Sequence, residues 1–435
     1  VPTFILEKRQ TMKQTPPIDL ILLLVLVPAQ IELFSFGDYF LIIALLLYMA
    51  LTIWQPLTDL AALPDRFGAQ RLSFLLRLAL LWLILLIAPI GVTLQNIQAR
   101  LQAEAGQGDV TEAYAQIHDG AIQLEMATDY LSDGINPYTA TYEHPVMQLW
   151  LLQIDVNPAT EHLVYLPGLL LLTLPFKWAA TAVLGFYDQR LLYLLAFVLL
   201  VLLLPVITRK PTHKLALIVG IGLNPWLTQP VVWGMNDILV LLGLLLAALL
   251  LQKKQLLWAA VVLGLVCTLK QSAWLTVPFF LLAIYLAASP EKRWQQVGTA
   301  VTLIGLIMAL VVGPFALWNL PAFMDDTFAY ASGTAQSLNY PIRGYTIGRL
   351  LVIFEQVSSD LAYYPFWIWQ LGVGLPVFGL CLYYQWRQRT LAALFLAASL
   401  FIFTLGFVSR FFQDNYVGFM TALAFLGLFP TFTDK

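Results

Sequence analysis

Charge is scarce in this 435-residue chain: 25 acidic and 23 basic side chains amount to 11% of it. A soluble domain carries roughly a quarter charged residues, so that class is excluded. The net charge of −2 offers no basic surface against a phosphate backbone, which excludes nucleic acid as a partner. Cysteine is nearly absent. Cys267 and Cys381 each lie inside an apolar run, where they read as inert packing residues and leave no disulfide framework. The polar stretch 1–17 lacks the short apolar core of a cleavable signal, and the first apolar run, from Ile18, reads as a retained helix. No 20–50-residue repeat and no duplication of halves is present.

What is abundant is apolar surface, with 60% hydrophobic residues and a mean hydropathy of +0.78. Runs such as Leu78–Val92, Leu191–Val206 and Leu239–Leu251 reach membrane-spanning length with their flanks. The 13 Trp and 18 Tyr fit anchors at the membrane–water interface. The expected fold is an all-α membrane protein, a polytopic bundle of about 12–14 transmembrane helices with helical extracytoplasmic loops. Spans are expected at 18–34, 38–55, 73–95, 188–208, 214–231, 235–252, 256–270, 272–288, 297–318, 361–384, 390–409 and 415–430. The chain divides into N-terminal transmembrane helices (1–95), an extracytoplasmic loop (96–187) and a transmembrane core (188–318). A second extracytoplasmic loop (319–360) and C-terminal transmembrane helices (361–435) follow.

Short basic turns orient the bundle. Arg209–Lys210–Lys214, Lys253–Lys254, Lys292–Arg293 and Arg387/Arg389 are each separated by two spans, so all four fall on the cytoplasmic side. With Lys8, Arg9 and Lys13 also inside, three spans carry 96–145 outside and leave Arg66, Arg71 and Arg77 at the cytoplasmic end of the third. Parity then requires 146–187 to cross twice or not at all. Its run Leu163–Phe176, interrupted by Pro167 and Pro175, reads as a re-entrant piece, an interfacial helix or half of a hairpin.

The polar groups gather on the exterior face. From His118–Asp119 to Gly134–Pro137–Tyr138 the pattern predicts a short helix begun at Asp119 and stopped by Gly134. Asp119 reads either as an N-cap or as a general base poised above the bilayer, accepting a proton from an attacking hydroxyl. Glu125 and Asp129 read as solvated loop charge, and His118 and His144 lack metal-type spacing. Asn224-Pro225 and Gln229-Pro230 break a helix ahead of Asn236-Asp237. Lys270 sits at a hinge as a snorkelling anchor or a phosphate cation. With Arg343 and Arg410 on the same face, it forms a set able to neutralise one anionic headgroup.

This pattern resembles the integral-membrane glycosyltransferases of the GT-C fold, and more narrowly the bacterial mannosyltransferase-like members that use a polyprenyl-phosphate sugar. The resemblance rests on Asp119, Ala127, Leu131, Gly134, Pro137 and Tyr138, then Tyr142 and His144-Pro145. Asn224-Pro225, Gly234-Met235-Asn236-Asp237 and Lys270-Gln271 with Pro278 continue it. It departs from that family in placing the loop after the third membrane helix, in Met235 where Gln is frequent, and in having no Asp-x-Asp motif. The adjacent pair Asp325-Asp326 reads as loop solvation.

The resemblance implies transfer of a sugar, mannose or another hexose or pentose, from polyprenyl phosphate to a lipid, glycan or protein acceptor outside a bacterial plasma membrane. In that reading Asp119 is the base, Lys270, Arg343 and Arg410 bind the donor phosphate, and no metal or other cofactor is indicated. Gln123, Tyr138, His144, Asn236, Asp237, Gln271, Asn415 and Tyr416 complete the cleft. The rival readings are a transporter or lipid-linked-sugar flippase, a polysaccharide polymerase or ligase, and a non-catalytic membrane scaffold.

Overall fold

A computed structural model describes residues 17–34, 37–57, 68–150 and 157–429. It is helical almost throughout. Among the described residues the one strand pairing is a two-residue parallel bridge, Arg343–Gly344 against Phe411–Phe412. Five helices are long and apolar enough to cross a membrane: Gly68–Glu104, Pro167–Leu184, Gln189–Val206, Pro290–Val311 and Trp367–Gln388. A bent pair, Pro211–Gly222 with Pro225–Trp233, passes the same test as one broken span. Shorter apolar helices at Asp38–Trp54, Asp237–Gln252, Leu256–Cys267, Gln271–Ala287 and Leu391–Phe407 pack among them, with Ile18–Phe34 and Asp414–Leu428. The chain is a polytopic helical membrane protein.

The 50° bend falls at Asn224-Pro225. Pro225 has no N–H to continue the ladder, and Asn224 restarts it by accepting from the Trp226 N–H at 3.1 Å. The second half ends at Gly234, whose φ of 92° is open to glycine, and a Cβ there would press on Ala121 and Arg190.

The first helices are pinned by a buried polar knot. Asp19 accepts from the Tyr48 hydroxyl at 2.6 Å and pairs with Arg77 at 3.5 Å, while Arg77 also donates to the Leu51 and Gln55 carbonyls. Arg66, placed with Arg71 and Arg77 by the charge pattern, lies outside the described residues, as do Lys8, Arg9 and Lys13.

The helix Gly68–Glu104 runs 37 residues, past the expected end at 95. At 1.5 Å per residue it is about 56 Å long, well beyond the ~30 Å of hydrocarbon. A π-turn at Leu86–Ile90 absorbs Pro89, so the helix continues through the proline. Its projecting end carries Arg100, which binds Glu125 through two bonds (2.9 and 2.8 Å), Asp188 at 3.0 Å and Glu104 at 2.7 Å. Arg190 closes on the same Asp188. Glu125 is therefore a buried ion-pair partner and not a solvated loop charge. Asp129, the more exposed of the two, pairs with Lys177 at 2.5 Å.

Segment 146–187 supplies a helix that the list of twelve spans omits, Pro167–Leu184. Gly168 donates to the Thr268 carbonyl, Thr173 meets Gln189, and Lys177 reaches Asp129. Just past the helix end, Asp188 joins Arg100. The beginning, the middle and the exit of this helix are thus all tied to one set of loops and helix ends.

Candidate active site

Those loops and helix ends enclose a cavity of about 1140 Å³. Its walls come from the helix Asp119–Ser132 and the loop after it, the start of Asp237–Gln252, the hinge at Lys270–Ser272, segment 327–345 and the turn 409–416.

Asp119 opens its helix as expected, but the capping residue is His118, whose Nδ1 accepts from the Gly120 N–H at 3.1 Å. The helix ends as the sequence predicts: Gly134 and Ile135 donate to the Leu131 and Tyr130 carbonyls. The same Gly120 N–H lies closer to Asp119, whose other carboxylate oxygen has a separate donor. Oδ2 accepts from Asn157 Nδ2 at 2.7 Å, while Oδ1 accepts from the Gly120 N–H at 2.6 Å and lies 3.0 Å from His118 Nδ1. Burial favours the neutral acid here, but the His118 ring, the Asn157 amide and the Gly120 N–H outweigh it, so the pKa is lowered. Asp119 is 7% exposed, and it lines the cavity as a carboxylate.

Across the cavity Lys270 donates to Asp237 at 2.7 Å and Asn236 at 3.0 Å, and stands 5.0 Å from the Tyr416 ring centre. Asn415 donates to the other Asp237 oxygen at 2.7 Å. Asp237 thus fixes both neighbours. Arg343 also lines the cavity; its backbone N–H donates to the Arg410 carbonyl, but its guanidinium makes no ion pair or hydrogen bond among the described residues, and Nη1 is buried. Asn236 Nδ2 and Ser272 Oγ are likewise buried, unpartnered and on the cavity wall. Among the described residues, three buried and unsatisfied polar groups thus belong to residues of one cavity wall, which suits a polar ligand.

Arg410 differs from its expected role. It lines the cavity, but its guanidinium donates to the carbonyls of Tyr340, Asp360, Leu361 and Ala362, and only 3% of the residue is exposed. It staples the second loop to the turn 409–416, where the parallel bridge also holds Arg343, and a donor phosphate finds no free N–H fork there. Gln123 and Gln271 are cavity residues that brace the wall. Gln123 donates to the Ala159 and His162 carbonyls, and Gln271 to those of Val164 and Thr327.

Two expected residues do not reach the cavity. Tyr138 is buried edge-on against Phe315 and Phe323, its hydroxyl donating to the Tyr165 carbonyl at 2.7 Å. His144 caps the turn Pro145–Leu149 and packs on Tyr114, with burial lowering its pKa.

Sequence reasoning missed Asn157, Ser272 and His162. Asn157 and His162 gain their places from Asp119 and Asp326, far along the chain, whereas Ser272 adjoins Lys270-Gln271 and was readable from that hinge. His162 Nδ1 lies 3.0 Å from Asp326 Oδ1 and 3.8 Å from Asp325 Oδ2. Asp326, 4% exposed, is not loop solvation; burial raises its pKa against the hydrogen bonds of His162 and Leu163.

The sequence profile of glycosyltransferase family 87 matches residues 163–409, more than half the chain and most of the cavity wall. The chain belongs to glycosyltransferase family 87. No curated protein and no solved structure matches it. Family-87 membership makes the protein a transferase and displaces the transporter and scaffold readings. The matched region begins after Asp119.

Proposed function

We propose that this family-87 enzyme transfers a sugar, mannose or another hexose or pentose, from a polyprenyl-phosphate donor to a hydroxyl of a lipid, glycan or protein, on the extracytoplasmic face of a bacterial membrane. The observation that carries this reading is a buried carboxylate, Asp119, sharing one cavity with Arg343, whose guanidinium has no partner among the described residues. Asp119 takes the proton as the acceptor oxygen attacks the anomeric carbon. The bond from that carbon to the phosphate oxygen breaks on the opposite side, with inversion, and the lipid phosphate leaves as an anion.

Arg343 and Lys270 meet the developing phosphate charge from fixed positions on the cavity wall. Lys270 keeps a strong counter-charge in Asp237, so Arg343 supplies most of the net positive field. Asn236 Nδ2 and Ser272 Oγ are placed to hold sugar hydroxyls. The anchors of helix Pro167–Leu184 favour a segment that lies along the exterior face without crossing, which keeps the parity set by the basic turns.

The test uses purified protein, synthetic polyprenyl-phosphate sugars and a labelled donor. Asp119→Asn keeps the shape and removes the base, and is expected to lower kcat/KM by roughly 10²- to 10⁴-fold. Full activity in that variant with the fold retained removes Asp119 from the base role. Consumption of nucleotide sugars in place of lipid-linked ones removes the donor class.

A further inference from the structure

Beside the cavity, three side chains from two segments 163 residues apart converge without a matching positive charge. His162 Nδ1, Asp326 Oδ1 and Asp325 Oδ2 all lie within 4.8 Å of one another. Among the described residues no Lys or Arg pairs with either carboxylate; His162 is their one basic neighbour.

The outward atoms of the same side chains are each held separately. Asp326 Oδ2 accepts from the Leu163 N–H at 2.9 Å, and Asp325 Oδ1 accepts from the Gln336 N–H at 3.1 Å. His162 Nε2 meets Ser337 Oγ at 2.9 Å, and the ring is stacked on Tyr330 with centroids 4.5 Å apart. Fixing the far atom of each ligand so that the near atom points inward is how surrounding hydrogen bonds orient ligands at a metal.

A proton does not account for the whole arrangement. Shared between Nδ1 and Asp326 Oδ1 at 3.0 Å, it satisfies that pair. Asp325 Oδ2, at 3.8 Å from the ring nitrogen, is beyond hydrogen-bond range yet is directed at the same point. If Nε2–H is donated to Ser337, the Nδ1 lone pair faces two carboxylate oxygens, which is repulsive until a cation enters. Donors about 2.0–2.2 Å from a shared ion stand roughly 3–3.5 Å from one another, and the two ring-to-carboxylate distances bracket that spacing.

We propose that His162, Asp325 and Asp326 form a binding site for one divalent transition ion, Zn²⁺ or Mn²⁺, at the edge of the sugar-transfer cavity. One imidazole and two carboxylates form a mixed nitrogen–oxygen set that both ions accept, with coordination positions left for water. The ion would tie the segment before helix Pro167–Leu184 to the π-turn Asp325–Ala329, and so fix the wall bearing His162. It does not depend on the sugar donor or on the role of Asp119.

The experiment takes the full chain in detergent, stripped with EDTA, and titrates it with Mn²⁺ followed by electron paramagnetic resonance, or with Zn²⁺ followed by elemental analysis after desalting. The expected result is one ion per chain and a rise in thermal midpoint on adding it. Asp325→Asn, at the most exposed of the three ligands, is expected to weaken binding at least tenfold and abolish the midpoint rise. Its midpoint without metal should stay near that of the stripped wild type. Asp133→Asn, an exposed carboxylate elsewhere in the loops, is expected to bind as wild type does. No stoichiometric binding of either ion, or equal affinity in Asp325→Asn, overturns the site.

Discussion

Around the carboxylate of Asp119, three contacts oppose one: burial disfavours the charge, and the His118 ring, the Asn157 amide and the Gly120 N–H favour it. Because the folded pKa is lowered, these contacts contribute stability that is present above the unfolded value and is lost as pH falls through the folded one. The acid limb of kcat/KM should therefore lie below ~3.9, the value of a free aspartate. Asn157→Leu removes the 2.7 Å amide bond and should move that limb upward, as a pH–rate profile would show. A limb that stays in place would mean that Asn157 does not tune the base. Arg343 is a second matter of single groups. Arg343→Gln should raise the KM for the lipid donor roughly 10- to 100-fold, in line with about 1.5–3 kcal/mol for hydrogen bonds to charged groups. Its thermal midpoint should not change, since the guanidinium has no partner among the described residues to lose.

Among the elements, the turn 409–416 and the loop it grips set the cavity wall, and Arg410 is their fastener. Arg410→Lys cannot span four carbonyls, and buried acceptors left unpaired carry about 1–3 kcal/mol each. A clear fall in thermal midpoint together with a raised KM is expected, the opposite division of effects from Arg343→Gln. The elements themselves were largely legible in the sequence. Apolar runs marked most apolar helices within a few residues, though only five and one bent pair have the length to cross a membrane; Gly134 marked a helix stop and Asn224-Pro225 a bend, because each signal is local. The helix Pro167–Leu184 was not, since a proline-flanked apolar run looks alike whether it crosses a bilayer or lies along one face. The cavity was half legible. Asp119, Asn236-Asp237, Lys270 and Arg343 stand in short motifs, whereas His162 with Asp326, and Arg100 with Glu125 and Asp188, meet only through the fold. Arg410 was misread because its carbonyl partners carry no mark in the sequence.

For the whole molecule, the basic turns and the cavity belong on opposite sides of the membrane in the proposed orientation. In chains whose Cys267 and Cys381 are replaced, Gln107→Cys should react with an impermeant maleimide on intact cells, and Gln388→Cys only after lysis. The reverse pattern would invert the enzyme. One part of the molecule belongs to both sides. The helix Gly68–Glu104 begins near the Asp19–Arg77 knot and ends by gripping the loop helix that starts with Asp119. A rod of that kind has phase as well as length: each residue inserted or removed along it turns Arg100 by about 100° and shifts it by 1.5 Å. It also leans when the surrounding lipid is thinner than its apolar stretch. The placement of the helix that begins at Asp119 therefore depends on the length and phase of this rod, and lipid thickness would reach it through the rod's tilt.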